Sequence, residues 1–181
     1  MPEGSRRILV WAVNYAPEPI GIAPLVTDAC AWLAGRGHHV DVVTAFPNYP
    51  ERRIRPGYEG ALWRRETAGA VVVQRARLRV RPVEGFREKA LYELTFAAAS
   101  LPLALRRLRR ADVVVAVVPT LLSSALATFL ARRPRVVLWF QDLVLQGAAA
   151  LDPPGPFARR LLRAGEAVER AAARAADRVV V

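Results

Sequence analysis

Ile8-Leu-Val-Trp-Ala-Val-Asn-Tyr-Ala-Pro-Glu-Pro-Ile-Gly-Ile22 is the stretch whose reading decides the fold. The apolar run Ile8 to Val13 is too short for a helix and breaks into polar residues, prolines and one glycine, so it reads as a buried strand. A helical pattern from Ala23 to Ala34 follows, with Leu25, Ala29, Trp32 and Leu33 as its expected inward face. In an open α/β sheet, ligands bind just outside the carboxyl ends of the strands. With Ile8 to Val13 as the first strand, Asn14 to Ile22 lies in that crevice.

The same alternation continues along the chain. Val40 to Thr44 follows the helix stop Gly35-Arg-Gly37, and further apolar runs occur at Val71 to Arg75, Val113 to Val118, Arg135 to Phe140 and Arg178 to Val181. Helical patterns fall between them. Phe86 to Arg109 shows the stripe Leu91, Leu94, Ala98, Leu101, Leu105 and Leu108, with Pro102 expected to kink or divide it. Leu121 to Ala131 is a small apolar crossover helix, and Pro156 opens a last pattern that runs to Ala176. Valine-rich strands alternating with helices predict an α/β class: a doubly wound, mainly parallel, Rossmann-like sheet covered on both faces. Ala45 to Gly69 is expected to be irregular but ordered, since it holds Pro47, Pro50 and Pro56 beside Phe46, Tyr49, Tyr58 and Trp63.

At 181 residues the chain makes one domain with a real core. Its net charge of +11 points to an anionic partner such as a membrane surface, a nucleic acid or phosphates. Lys89 is the only lysine among 27 basic residues, and such an arginine excess also arises from GC-rich codon usage. Cys30 stands alone, so neither an internal disulfide nor a cysteine metal cluster can form. Ile8 to Val13 is too short for a signal-peptide core, and no apolar segment reaches membrane-spanning length, so a cytoplasmic location is expected. No basic stripe is interleaved with exposed aromatics, which ranks nucleic acid last among the partners.

Residues with chemistry collect at the expected carboxyl edge. Asn14, Tyr15, Glu18, Gly21 and Ile22 follow the first strand, and Asn48 and Tyr49 follow the second. Thr120, Gln141 and Asp142 follow later ones. Gly21 is either a turn glycine or a point of close approach for an anion at a helix start. Glu18 is either a solvated loop charge or an anchor for a hydroxylated ligand. His38 and His39 are adjacent near the start of the second strand, point to opposite faces and cannot easily share a metal. Arg106, Arg107, Arg109 and Arg110 end the long helix, where they suit the helix dipole or an anionic bilayer.

Taken in order, Asn14-Tyr-x-Pro-Glu-x-x-Gly-Ile22, Phe46-Pro-Asn-Tyr-Pro50, Gly57-Tyr58, Pro119-Thr120, Gln141-Asp-Leu143 and Ala176-Asp-Arg-Val-Val180 resemble the N-terminal domain of bacterial family 4 glycosyltransferases of the colanic-acid, cell-surface polysaccharide type. The resemblance implies one half of a GT-B fold: an acceptor-binding half facing a donor-binding half that is not in this chain. It implies a retaining transfer from a nucleotide sugar to a glycan or lipid-linked acceptor, with no metal or other cofactor, at the inner face of the cell membrane. By the same resemblance Asp142 sits near the reacting centre and Tyr49 shapes the acceptor pocket. Without its partner half, or a separate subunit in its place, the chain is expected to be inactive. Two departures stand out. Gly21-Ile-Ala-Pro24 replaces the family's Gly-Ile-Gly or Gly-Gly, and Val144-Leu-Gln146 replaces an aromatic, a proline and an acid. The second reading, of a different class, is a stand-alone basic module that binds an anionic membrane or a lipid-linked glycan without catalysis.

Overall fold

The computed structural model describes residues 4–82, 85–141 and 156–181. In chain order the elements are β1 (Arg7–Trp11), α1 (Ala23–Gly35), β2 (His39–Ala45), β3 (Trp63–Ala68), β4 (Val71–Ala76) and α2 (Phe86–Leu108). Then come β5 (Val113–Val118), α3 (Leu121–Leu130), β6 (Arg135–Phe140), α4 (Pro156–Ala175) and β7 (Arg178–Val180). The seven strands form one sheet in the order β3-β4-β2-β1-β5-β6-β7, with only β3 antiparallel to its neighbour. This is the doubly wound, mainly parallel arrangement expected. The strand order reverses between β1 and β5, which places the topological switch point and its crevice there.

Alternation along β1 builds the two faces of the core. Leu9 and Trp11 point to one face, where Phe96, Leu103, Ala104 and Leu108 of α2, Ala127 of α3 and Ala172 of α4 meet them. Ile8 and Val10 point to the other, beneath Val26 and Cys30 of α1. Trp11 is wholly buried, and its indole Nε1 donates to Ser100 Oγ at 3.1 Å, so the ring carries no unpaired donor into the core.

Three expectations about packing are corrected. α1 buries Ala23, Val26 and Cys30, while Leu25 and Trp32 face outward. Nearly every face of this helix is apolar, so periodicity cannot set its rotation; Trp32 instead lies flat under Arg36, 4.3 Å from the guanidinium carbon. α2 is rotated as well: Phe96, Ala97, Ser100, Leu103, Ala104 and Leu108 are buried, whereas Leu94 and Ala98 of the expected stripe are exposed. It also runs unbroken through Pro102, whose ring sits on the solvent side, so the carbonyl it leaves unpaired opens to water rather than into the core. Third, the segment expected to be irregular contains β3. Its residues Trp-Arg-Arg-Glu-Thr-Ala lack an apolar alternation because β3 is an exposed edge strand. A two-residue turn at Gly69-Ala70, with Gly69 at φ +59°, folds it onto β4 in the register Ala68↔Val71.

Candidate functional site

The loop after β1 and the loop after β2 are stapled together by Glu18. Its Oε1 accepts the backbone N–H groups of Asn48 at 2.8 Å and Tyr49 at 2.9 Å, and its Oε2 accepts Asn14 Nδ2 at 2.7 Å. Glu18 is only 3% exposed. Burial raises its pKa above the usual carboxylate value, and the Asn48 and Tyr49 N–H groups, then Asn14 and the Arg75 charge, pull it part of the way back. Glu18 is therefore neither a solvated charge nor a free ligand anchor. It is the internal acceptor that gives two loops one geometry.

Tyr15 and Asn48 are corrected for the same reason. Tyr15 belongs to the core beside Val26 and Cys30, and its desolvated phenol is pushed up to about 12. Asn48 is buried, with Nδ2 donating to the Phe46 carbonyl at 2.9 Å. Arg75, also buried, ties this frame to the sheet. Its Nε donates to Glu66 Oε2 on β3 at 2.7 Å, and its Nη atoms donate to the carbonyls of Ala45 and Ala16. Valine-dominated β4 gave no sign of that role.

Two of the expected residues, Tyr49 and Gly21, remain open at the crevice. The Tyr49 ring is 41% exposed and rests against Gly21, where a Cβ would stand 3.3 Å from Tyr49 Cε1. Gly21 has φ +70°, a conformation L side chains rarely adopt, so the glycine supplies both the turn and the seat for the ring. Gln141, just past β6, is half-buried, and its Nε2 is covered and has no hydrogen-bond partner among the described residues. Ile22 is half-buried at the start of α1, where Pro24 removes one N–H from the first turn. Thr120 is buried: its hydroxyl donates to Val117 O at 3.4 Å and accepts from Ser123 Oγ at 2.7 Å, so it faces inward rather than toward a ligand. Asp142 lies outside the described residues.

The first turns of α2 bring residues to the crevice that sequence reasoning missed. Tyr92 hydrogen-bonds the side chains of Asn14 and Asn48; burial, then the Glu18 charge, raises its pKa. Glu93 Oε2 accepts the N–H groups of Leu121 at 3.1 Å and Leu122 at 3.4 Å, so α2 caps α3 with a carboxylate. Burial raises the Glu93 pKa, against the Leu122 N–H and the charge of Lys89 one turn away. Two signals pointed here: Lys89 is the single lysine, and Glu93 interrupts an apolar helix. Among the described residues no group of three His, Cys, Asp or Glu side chains could hold a metal ion.

The arginines ending α2 lie at the opposite edge. Arg107 Nη1 pairs with Asp41 Oδ1 at 3.3 Å near the amino end of β2, and with the Gln74 amide oxygen turned inward it also donates there at 3.0 Å. Arg106, Arg109 and Arg110 are exposed, on the edge away from the crevice. Among the described residues no helix is long and apolar enough to cross a membrane.

A mainly parallel seven-stranded sheet whose β1/β5 switch point is walled by a stapled pair of loops defines a Rossmann-like α/β half. Residues 21–181 match the family model described as "Glycosyl transferase 4-like domain", and the chain belongs to that family. It is 34% identical over 152 residues to the "Putative colanic acid biosynthesis glycosyl transferase WcaI" of Escherichia coli (strain K12), a match covering 82% of this chain and 37% of that protein. The chain thus spans little more than a third of the length of that relative. Its fold matches sucrose-phosphate synthase from Thermosynechococcus elongatus with a TM-score of 0.62 at 17% identity, over 97% of this chain and 42% of that one. It also matches the catalytic domain of starch synthase IV from Arabidopsis thaliana, solved with ADP and acarbose, with a TM-score of 0.54 at 16% identity, over 76% of this chain and 34% of that one.

Proposed function

We propose that this chain is the acceptor-binding half of an enzyme that moves a sugar from a nucleotide sugar to a glycan or lipid-linked acceptor in cell-envelope polysaccharide synthesis, with retention of configuration. The observation that carries this reading is the Glu18 staple. It fixes the loops after β1 and β2 so that the Tyr49 ring stands open at the switch point. A sugar ring stacks on an exposed aromatic, and the unpaired amide of Gln141, just past β6, would have to turn outward to donate to a substrate hydroxyl. Asp142 is placed at the reacting centre on the Gln141-Asp-Leu143 motif alone. The nucleotide would be held by a second Rossmann-like half closing over this edge, in the same chain or a separate subunit, with no metal required. The enzyme would work in the cytoplasm, peripherally at the inner face of the membrane.

The test joins this half to its donor-binding partner and offers labelled nucleotide sugars with lipid and glycan acceptors. Tyr49→Ala and Gln141→Leu are expected to lower kcat/KM about ten- to a hundredfold, the loss of one or two good contacts, while the unfolding midpoint stays put. NMR of the new linkage is expected to show the donor's anomeric configuration. Unchanged kcat/KM in both variants would overturn the placement of the acceptor, and an inverted linkage would overturn the retaining assignment.

A further inference from the structure

The helix α2 joins the two edges of the sheet. Its first turns reach the crevice, and its C-terminal end closes a concavity of about 270 Å³ at the amino edge, which the sugar-transfer reading does not use. Alternation decides what this concavity holds. Leu9 and Trp11 of β1 and Val43 and Ala45 of β2 face α2, so Arg7, His39 and Asp41, an even number of residues away on the same strands, face it too. The parallel register sets Arg7 opposite His39. Arg107 and Arg110 come from the end of α2, where the Arg110 N–H donates to the Arg107 carbonyl at 2.9 Å. Three arginines from two separate elements thus converge on one concave surface.

Those three guanidinium groups meet a single carboxylate in the lining, Asp41, which leaves the concavity positive. Asp41 pairs with Arg107 Nη1 at 3.3 Å, and the Gln74 amide oxygen, turned inward, accepts Arg107 Nε at 2.5 Å and Nη2 at 3.0 Å. A guanidinium has five N–H donors, so these partners immobilise Arg107 without exhausting it. Arg7 and Arg110 are exposed and form no ion pair with a described residue. The helix dipole by itself accounts for cations in the last turn of α2. It does not account for a further arginine on β1, or for a β4 amide that fixes Arg107. Converging guanidinium forks, one already immobilised, match the oxygens of a phosphate group. The volume falls just below the about 300–1,000 Å³ of pockets for drug-sized ligands, so the ligand is small.

We propose that this concavity binds a small soluble molecule through a phosphate or diphosphate group held by Arg7, Arg107 and Arg110. Tyr92 at the crevice and Arg107 are separated by about 22 Å along α2, at a helix's rise of 1.5 Å per residue. The ligand is therefore an effector rather than a substrate, and the site stands whether or not the chain transfers a sugar. Inorganic pyrophosphate titrated into the 181-residue chain, followed by calorimetry, is the direct test. The reference is the double change Arg106→Ala with Arg109→Ala, which removes two exposed arginines from the same helix end that do not line the concavity. Pyrophosphate is expected to bind saturably at one site. Arg7→Ala with Arg110→Ala, both at exposed positions, should weaken it about tenfold or more at an unchanged melting temperature, while the reference pair leaves the affinity as it was. Equal losses in the two double variants overturn the assignment, because net charge alone would then attract the anion. Absence of saturable pyrophosphate binding overturns it as well. The same phosphate chemistry can arrive on a lipid headgroup. Recruitment of the chain to phosphatidic acid vesicles that excess pyrophosphate does not reverse would mark a membrane contact and overturn the soluble ligand.

Discussion

At the carboxyl edge of the sheet, Glu18 and Glu93 each accept two backbone N–H groups from another segment while shielded from solvent. At the amino edge Asp112 and Asp177 do a similar job, accepting Arg7 N–H at 2.8 Å and Val136 N–H at 2.7 Å, but they are exposed residues. The bonds are alike and the surroundings are not. A carboxylate in water trades one set of hydrogen bonds for another, so its net contribution is small. A buried one has lost its hydration, and any N–H it leaves unpaired is buried as well, so the loops it holds have few alternative arrangements. The molecule concentrates buried charge where two loops must keep one geometry and leaves cheap surface contacts where strands merely meet turns.

The hardest blow to this comparison should come from Arg75, which links the carboxyl-edge frame to β3. Arg75→Met is expected to cost about 3 kcal/mol in urea unfolding, because it strands the carbonyls of Ala45 and Ala16 and leaves Glu66 with Arg64 alone. Next, Glu18→Ala should cost about 2–3 kcal/mol by leaving the Asn48 and Tyr49 N–H groups unpaired, while Asp112→Ala costs less than about 1 kcal/mol; equal losses would erase the distinction between the edges. Gly21→Ala should cost about 1–2 kcal/mol from its left-handed backbone alone, and the added Cβ would press the Tyr49 ring, so altered Tyr49 fluorescence should accompany it.

A pH series sharpens the same contrast. The folded pKa values of Glu18 and Glu93 are raised, so the native state holds their protons to higher pH than the unfolded chain. Their contribution is fully present below the ordinary value of 4.5 and is lost as pH rises from there through the raised folded values. Stability should therefore fall over that window, and Glu18→Gln should flatten the fall. A slope unchanged by Glu18→Gln and by Glu93→Gln would show that neither carboxylate is desolvated.

The class of sheet was legible because valine-rich runs between helices have few other ways to bury both faces. The carboxyl-edge location of Asn14, Glu18, Asn48, Tyr49 and Gln141 followed from that alone. Their roles did not follow. Glu18 and Asn48 look like ligand groups in a loop sequence, since nothing local reveals that each will meet the other's loop thirty residues away. Tyr92 and Glu93 were hidden inside a helix whose rotation its apolar pattern misstated, and β3 was hidden because an exposed edge strand needs no apolar alternation.

From sequence alone came the order of elements other than β3, the crevice at the first loop and the likeness to a glycosyltransferase family. Those properties depend on periodicity and on motifs written locally along the chain. The tertiary structure alone decided which polar groups turn inward as staples, which remain open to a ligand, and that Arg7, Arg107 and Arg110 gather around one concavity at the opposite edge. Burial and hydrogen-bond partnership depend on residues far apart in the chain, and a single sequence does not state those distances.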